Sequence, residues 1–186
     1  MKRNTSLLLS FVLMLLACSL FRVWEGRPFG FAPQIAMAVF CGAIFRDKKL
    51  AFLAPLASML ISDALYHFLF KSGNTNIYGF YEGQAVNYIL VIATTVFGFF
   101  IRNSNIVRNG ALVLAAPTAY FLLSNFQVWI GGGGYNRPRT FDGLVQCMVD
   151  GLPFYGWSIV ATVFFSAIFF GAWYALGSKE QKVVVE

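Results

Sequence analysis

The sequence predicts an all-α fold: a polytopic transmembrane helix bundle of about six spans. Three observations carry this reading. The 186 residues are 58% hydrophobic and 18% aromatic, with a mean hydropathy of +0.66. Charged residues make up only 12%, about half the roughly 25% of soluble domains. The apolar residues also fall into six stretches, at 6–23, 31–45, 50–70, 85–101, 110–130 and 154–176. No repeat or low-complexity tract divides them, so residues 1–186 read as a single integral membrane domain. That length leaves no room for a soluble catalytic domain.

The first stretch follows Met1, Lys2 and Arg3 as a signal peptide would, and residues 15–18 (LLAC) loosely resemble a lipoprotein cleavage box. The apolar run nevertheless continues through Phe21 to Val23 and Trp24, so a retained first span is expected. The second stretch is short and begins at Pro33, which opens a helix better than it sits inside one. It is expected to be tilted, broken or partly interfacial. The third, LAFLAPLASMLISDALYHFLF, is about 21 residues long, enough to cross the hydrocarbon core as a helix. Small residues on the second (Ala36, Ala38, Gly42, Ala43) and third (Ala51, Ala54, Ala57) suit close helix packing.

Basic residues set the expected orientation. With the N-terminus inside, Lys2, Arg3, Arg46, Lys48, Lys49, Arg102, Arg108, Lys179 and Lys182 fall on the cytoplasmic side. Arg22, Arg27, Lys71, Arg137 and Arg139 fall outside. Nine against five favours cytoplasmic termini in an inner (cytoplasmic) membrane protein. This also accounts for the net charge of +6 without nucleic acid. Cys18, Cys41 and Cys147 form no CxxC pair and have no nearby histidine, so neither a metal site nor a disulfide framework is expected. Cys18 and Cys41 read as small apolar helix residues.

In this topology four stretches place polar or aromatic groups at one depth, toward the outside. Asp63 and His67 lie late in the third, Asn87 opens the fourth, and Asn125, Gln127 and Trp129 close the fifth. Asp150, Tyr155 and Trp157 flank the start of the sixth. Convergent polar groups in an apolar wall are what a small-molecule pocket needs. The candidate ligand-binding residues are therefore Asp63, Asn87, Asn125, Trp129, Tyr155, Trp157 and Arg137. The connection at 131–143, GGGGYNRPRTFDG, suits a cover over such a pocket. It is no phosphate-binding loop, because no Gly-Lys-Ser/Thr follows.

Each candidate also has a purely structural reading. An acid inside a membrane costs about 3 kcal/mol or more and faces protein or water rather than lipid. Asp63 therefore either lines a ligand site or ties helices together. His67, four residues on, shares its face and reads as an interfacial residue. Trp129 fits the interfacial aromatic belt, and Asp142 and Asp150 suit pairing with Arg137 and Arg139. No catalytic motif is recognisable, no cofactor is implied, and an enzyme is not expected.

Residues 31–43 (FAPQIAMAVFCGA), 46–49 (RDKK), 55–63 (PLASMLISD), 124–129 (SNFQVW) and 151–154 (GLPF) carry a resemblance. They resemble a family of uncharacterised bacterial membrane proteins similar to the substrate-binding S components of energy-coupling factor (ECF) vitamin transporters. The resemblance implies a six-helix protein capturing a vitamin-like molecule from outside, with a transmembrane coupling subunit and ATPases as partners. One feature departs from it. S components typically carry Ala-x-x-x-Ala on the first helix, whereas 6–23 contains only Ala17; Ala32 and Ala36 have that spacing on the second stretch. The expected function is substrate capture. The alternatives are a ligand-free membrane scaffold or, less favoured, an intramembrane enzyme in which Asp63 and Asp150 meet.

Overall fold

The computed structural model describes residues 2–102 and 105–176, and of residues 2–10 and 176 the backbone alone. The side chains of Lys2 and Arg3, and Lys179 and Lys182 entirely, lie outside the described residues. Regular structure among the described residues is helical throughout: α1 (Lys2–Val23), α2 (Gln34–Ile44), α3 (Lys48–Lys71), α4 (Gln84–Ala93), α5 (Thr95–Gly98), α6 (Ile106–Gly131) and α7 (Phe141–Leu176). Only Thr94 separates α4 from α5, so the helices follow the six apolar stretches in order.

Local chemistry sets the boundaries. The Asp47 carboxylate accepts from Lys49 N at 2.8 Å and opens α3, and the Asn105 side chain accepts from Arg108 N at 2.9 Å and opens α6. Gly132, at φ 72°, closes α6 in the left-handed conformation that favours glycine. The last helix departs most from the sequence reading. It starts at Phe141 rather than near 154 and passes through Pro153. Thr140 explains the early start: its hydroxyl accepts from Gly143 N at 3.2 Å and its carbonyl from Leu144 N at 3.0 Å. The connection at 131–143 shrinks accordingly to 132–140.

α2 is the centre of the bundle. The expectation of a broken or partly interfacial segment gives way here. α2 is continuous and ten of its 11 residues are buried, all but Ala43, because a helix apolar on every side is stable when wrapped by protein. It touches α3, α4, α5, α6 and α7 directly, and packs Phe40 on Phe11 of α1. Cys18 and Cys41 lie in this core with Met37, Phe40, Ile44 and Phe169. The α2–α5 crossing is backbone on backbone. A Cβ on Gly42 would lie 2.2 Å from Thr95 O, and one on Gly98 would lie 2.1 Å from Val39 O.

Among the described residues, this arrangement meets the six-span expectation only in part. Three helices, Lys48–Lys71, Ile106–Gly131 and Phe141–Ala175, are long and apolar enough to cross a membrane. The other described apolar stretches are shorter, Gln34–Ile44 and Gln84–Gly98, with Phe11–Val23 forming the described part of the 22-residue α1. At 11 residues α2 is about 16 Å long, roughly half the hydrocarbon thickness. Large apolar side chains such as Leu53, Leu60, Leu122, Leu123, Val160 and Phe164 stay exposed along α3, α6 and α7. Such outward apolar faces are compatible with a lipid environment.

Candidate functional site

The C-termini of α1 and α6 and the N-terminal parts of α2, α4 and α7 gather at one end of the bundle, with Met59 from the middle of α3. They surround a cavity of about 1000 Å³, at the large end of the range of about 300–1,000 Å³ for small-molecule sites. Loop residues Arg27, Phe29, Gly30 and Ala32 form part of its wall, with Tyr81, Glu82 and Gly83 and with Gly133, Gly134 and Tyr135. The glycine-rich connection thus borders the cavity. Gly30 (φ 87°) is required where its loop meets α7, since a Cβ there would lie 2.4 Å from Phe154 O.

Asp63 stands behind this wall rather than in it. It is 2% exposed and ion-paired with Arg22 of α1. Its second oxygen accepts from Gln84 Nε2 at 2.6 Å and Tyr88 OH at 2.5 Å. Arg22 also donates to Ser62 Oγ at 2.5 Å, while its own carbonyl accepts from Tyr66 OH at 2.7 Å and Arg27 Nε at 2.9 Å. One carboxylate therefore joins α1, α3 and α4, and what it presents to the cavity is Arg22. Arg22 sits in the last turn of α1 and is not the loop charge of the orientation count. Such satisfaction is what makes a buried ion pair tolerable.

Three other expected residues do line the cavity: Asn87, Asn125 and Tyr155. Asn87 bridges two phenols, donating to Tyr81 OH at 3.1 Å and accepting from Tyr120 OH at 2.6 Å. Burial pushes the Tyr81 hydroxyl pKa up, against the opposing pull of its bond to Asn87. Tyr155 stacks on Phe121 at 4.5 Å between ring centroids and shares a 2.8 Å hydrogen bond with Thr118. Asn125 Nδ2 donates to Phe121 O at 2.9 Å, and its side chain occupies space that Gly151 leaves open on α7.

The remaining candidates lie off the wall. Arg137 forms a forked pair with the lining residue Asp150, at 2.8 and 2.9 Å, and this bond raises the guanidinium pKa. Trp129 donates to Pro138 O at 2.9 Å and braces the connection, while Trp157 packs on Phe31 and is largely exposed. Neither tryptophan lines the cavity. His67 makes no bond to Asp63; its ring rests on Tyr78 and Phe80. Asp63 and Asp150 are each held by a different arginine.

Arg22, Arg27, Gln34, Tyr81 and Tyr120 also line the cavity and were not anticipated there. A signal existed for two of them, because Arg22 and Gln34 are polar residues at the edges of apolar stretches. Their direction depends on how α1 and α2 turn against α3, which spacing does not encode.

Neither a curated protein nor a solved structure matches the chain. A family model without an assigned function matches nearly all of it, and that match carries no likeness to S components. With residues 1–184 matched, the chain belongs to the family of unknown function DUF6580.

Proposed function

We propose that this chain is a membrane substrate-capture subunit, similar in role to the S components of ECF transporters. It would bind a small vitamin-like molecule from the outer side of the inner membrane, with both termini in the cytoplasm. The cavity is the observation that carries this reading. It is large enough for such a molecule and combines an apolar wall (Phe121, Phe154, Tyr155) with hydrogen-bonding groups (Asn87, Asn125, Tyr120). It lies at one end of the bundle, where a ligand can enter from the aqueous phase. Arg46, Lys48 and Lys49 cap the opposite end at the α2–α3 turn, as the positive-inside rule expects of the cytoplasmic side. Uptake would then need a coupling subunit and ATPases, and the missing first-helix Ala-x-x-x-Ala predicts a docking surface unlike that of typical S components.

A second reading, a ligand-free scaffold, is favoured by one observation: the bonding groups of Asp63 are all engaged within the protein. Extraction separates the two. Protein purified in native lipid and denatured in organic solvent should release a small molecule in near-stoichiometric amount. Release of lipid alone, with no stabilisation by any member of a vitamin and precursor panel, would leave the scaffold.

A further inference from the structure

The charges along the cavity wall are unequally matched. Arg22 is bound to Asp63, and Asp150 to Arg137. Arg27 lines the same wall, half-buried, and has no carboxylate partner among the described residues. Its Nε bond to Arg22 O, at 2.9 Å, fixes the guanidinium plane. Its terminal nitrogens make only long contacts, 3.4 Å to Phe31 O and 3.5 Å to Tyr66 OH. They remain available to a planar anion, which a guanidinium engages through two parallel hydrogen bonds. The other unmatched charge, Glu82, is exposed at the rim, where water and salt weaken its pull.

Gln34 supplies a second, independent signal. It opens α2 on the cavity wall and is only 4% exposed. Its Nε2 donates to Cys18 O at 3.4 Å, while its Oε1 is buried without a partner. A buried acceptor without a donor is costly, so a native one calls for an explanation. Cys18 O and Arg22 O, the anchors of Gln34 and Arg27, are one turn apart on α1, about 6 Å. A side chain with an unengaged acceptor and an unmatched cation are thus anchored a turn apart, and both line the cavity with Phe121, Phe154 and Tyr155.

We propose that the cavity takes a carboxylate-bearing molecule with an apolar ring body, its carboxylate forked onto Arg27 and an N–H or O–H donor placed on Gln34 Oε1. This rests on the capture reading and narrows it to a ligand class.

The test uses full-length protein in lipid nanodiscs and two probe series, indolebutyrate and pyrenebutyrate, each with its primary amide and its amine counterpart. Both acids should bind at least tenfold more tightly than their amides and amines. Arg27→Gln should remove that preference in both series, and Arg27→Lys should restore part of it. Gln34→Leu should weaken indolebutyrate, which carries an N–H, and leave pyrenebutyrate, which has no donor besides its acid, within about twofold. Amide or amine binding equal to the acid, an unaffected Arg27→Gln, equal effects of Gln34→Leu on both acids, or no acid binding at all overturns the proposal. A neutral or cationic molecule extracted from the native protein would sink this ligand class while leaving capture intact. An empty extract would sink capture itself.

Discussion

Arg22 and Asp63 form the bond on which the cavity wall rests. Asp63 is nearly inaccessible and Arg22 is 16% exposed at the side chain, so losing either partner strands a charge in a poorly solvated place. Breaking such a pair costs about 3–5 kcal/mol, whereas replacing both partners with apolar side chains is often close to neutral. Arg22→Ala and Asp63→Asn should each lower the thermal midpoint in nanodiscs by many degrees. The double variant Arg22→Met/Asp63→Leu should recover most of the loss. Equal losses in all three would show that the pair's own attraction matters less than its hydrogen bonds to Ser62, Gln84 and Tyr88. The sequence made Asp63 conspicuous because an acid in an apolar run is rare. It hid the partner, since Arg22 stands 41 residues earlier and in sequence looks like an ordinary charge flanking a span.

Among the elements, α2 shows what apolar periodicity conveys and what it omits. Its short length in sequence points to a tilted, broken or partly interfacial segment and not to an unbroken helix at the centre of the bundle. Its small residues are legible as contacts. Their partner is not. Gly42 meets Gly98 only because α4 breaks at Thr94 and turns α5 onto α2. There Thr94 N donates to Val91 O at 3.1 Å and its hydroxyl to the same carbonyl at 2.6 Å. A side chain at Gly42 must push Thr95 O away. Gly42→Leu should cost at least about 1–3 kcal/mol through overpacking, read as a fall in thermal midpoint, while Ala43→Leu, at the one partly exposed position of α2, should cost clearly less. Similar losses at the two positions would contradict the close crossing. The early start of α7 was hidden for a different reason. Gly143, Gly151 and Pro153 all read as helix breakers, yet packing against α6 and the Thr140 cap outweigh their weak propensity. Gly143 is in fact required by contact with Pro138 O, while Gly151 leaves room for the Asn125 side chain.

At the scale of the whole molecule, the sequence conveyed the helical class, the order of the helices and the gathering of Asn87, Asn125 and Tyr155 around one space. It did not reveal that α2 is a short helix wrapped by its neighbours, because hydropathy cannot separate a helix wrapped by protein from one facing lipid. The account turns on whether that space holds a ligand. Native mass spectrometry of protein released from native-lipid nanodiscs tests this most directly, comparing wild type with Ser124→Trp, a variant that fills the cavity from the α6 wall. The account predicts a discrete small-molecule adduct on wild type and its loss from an equally folded Ser124→Trp. Wild type that flies without an adduct, or the same adduct on both proteins, would contradict it.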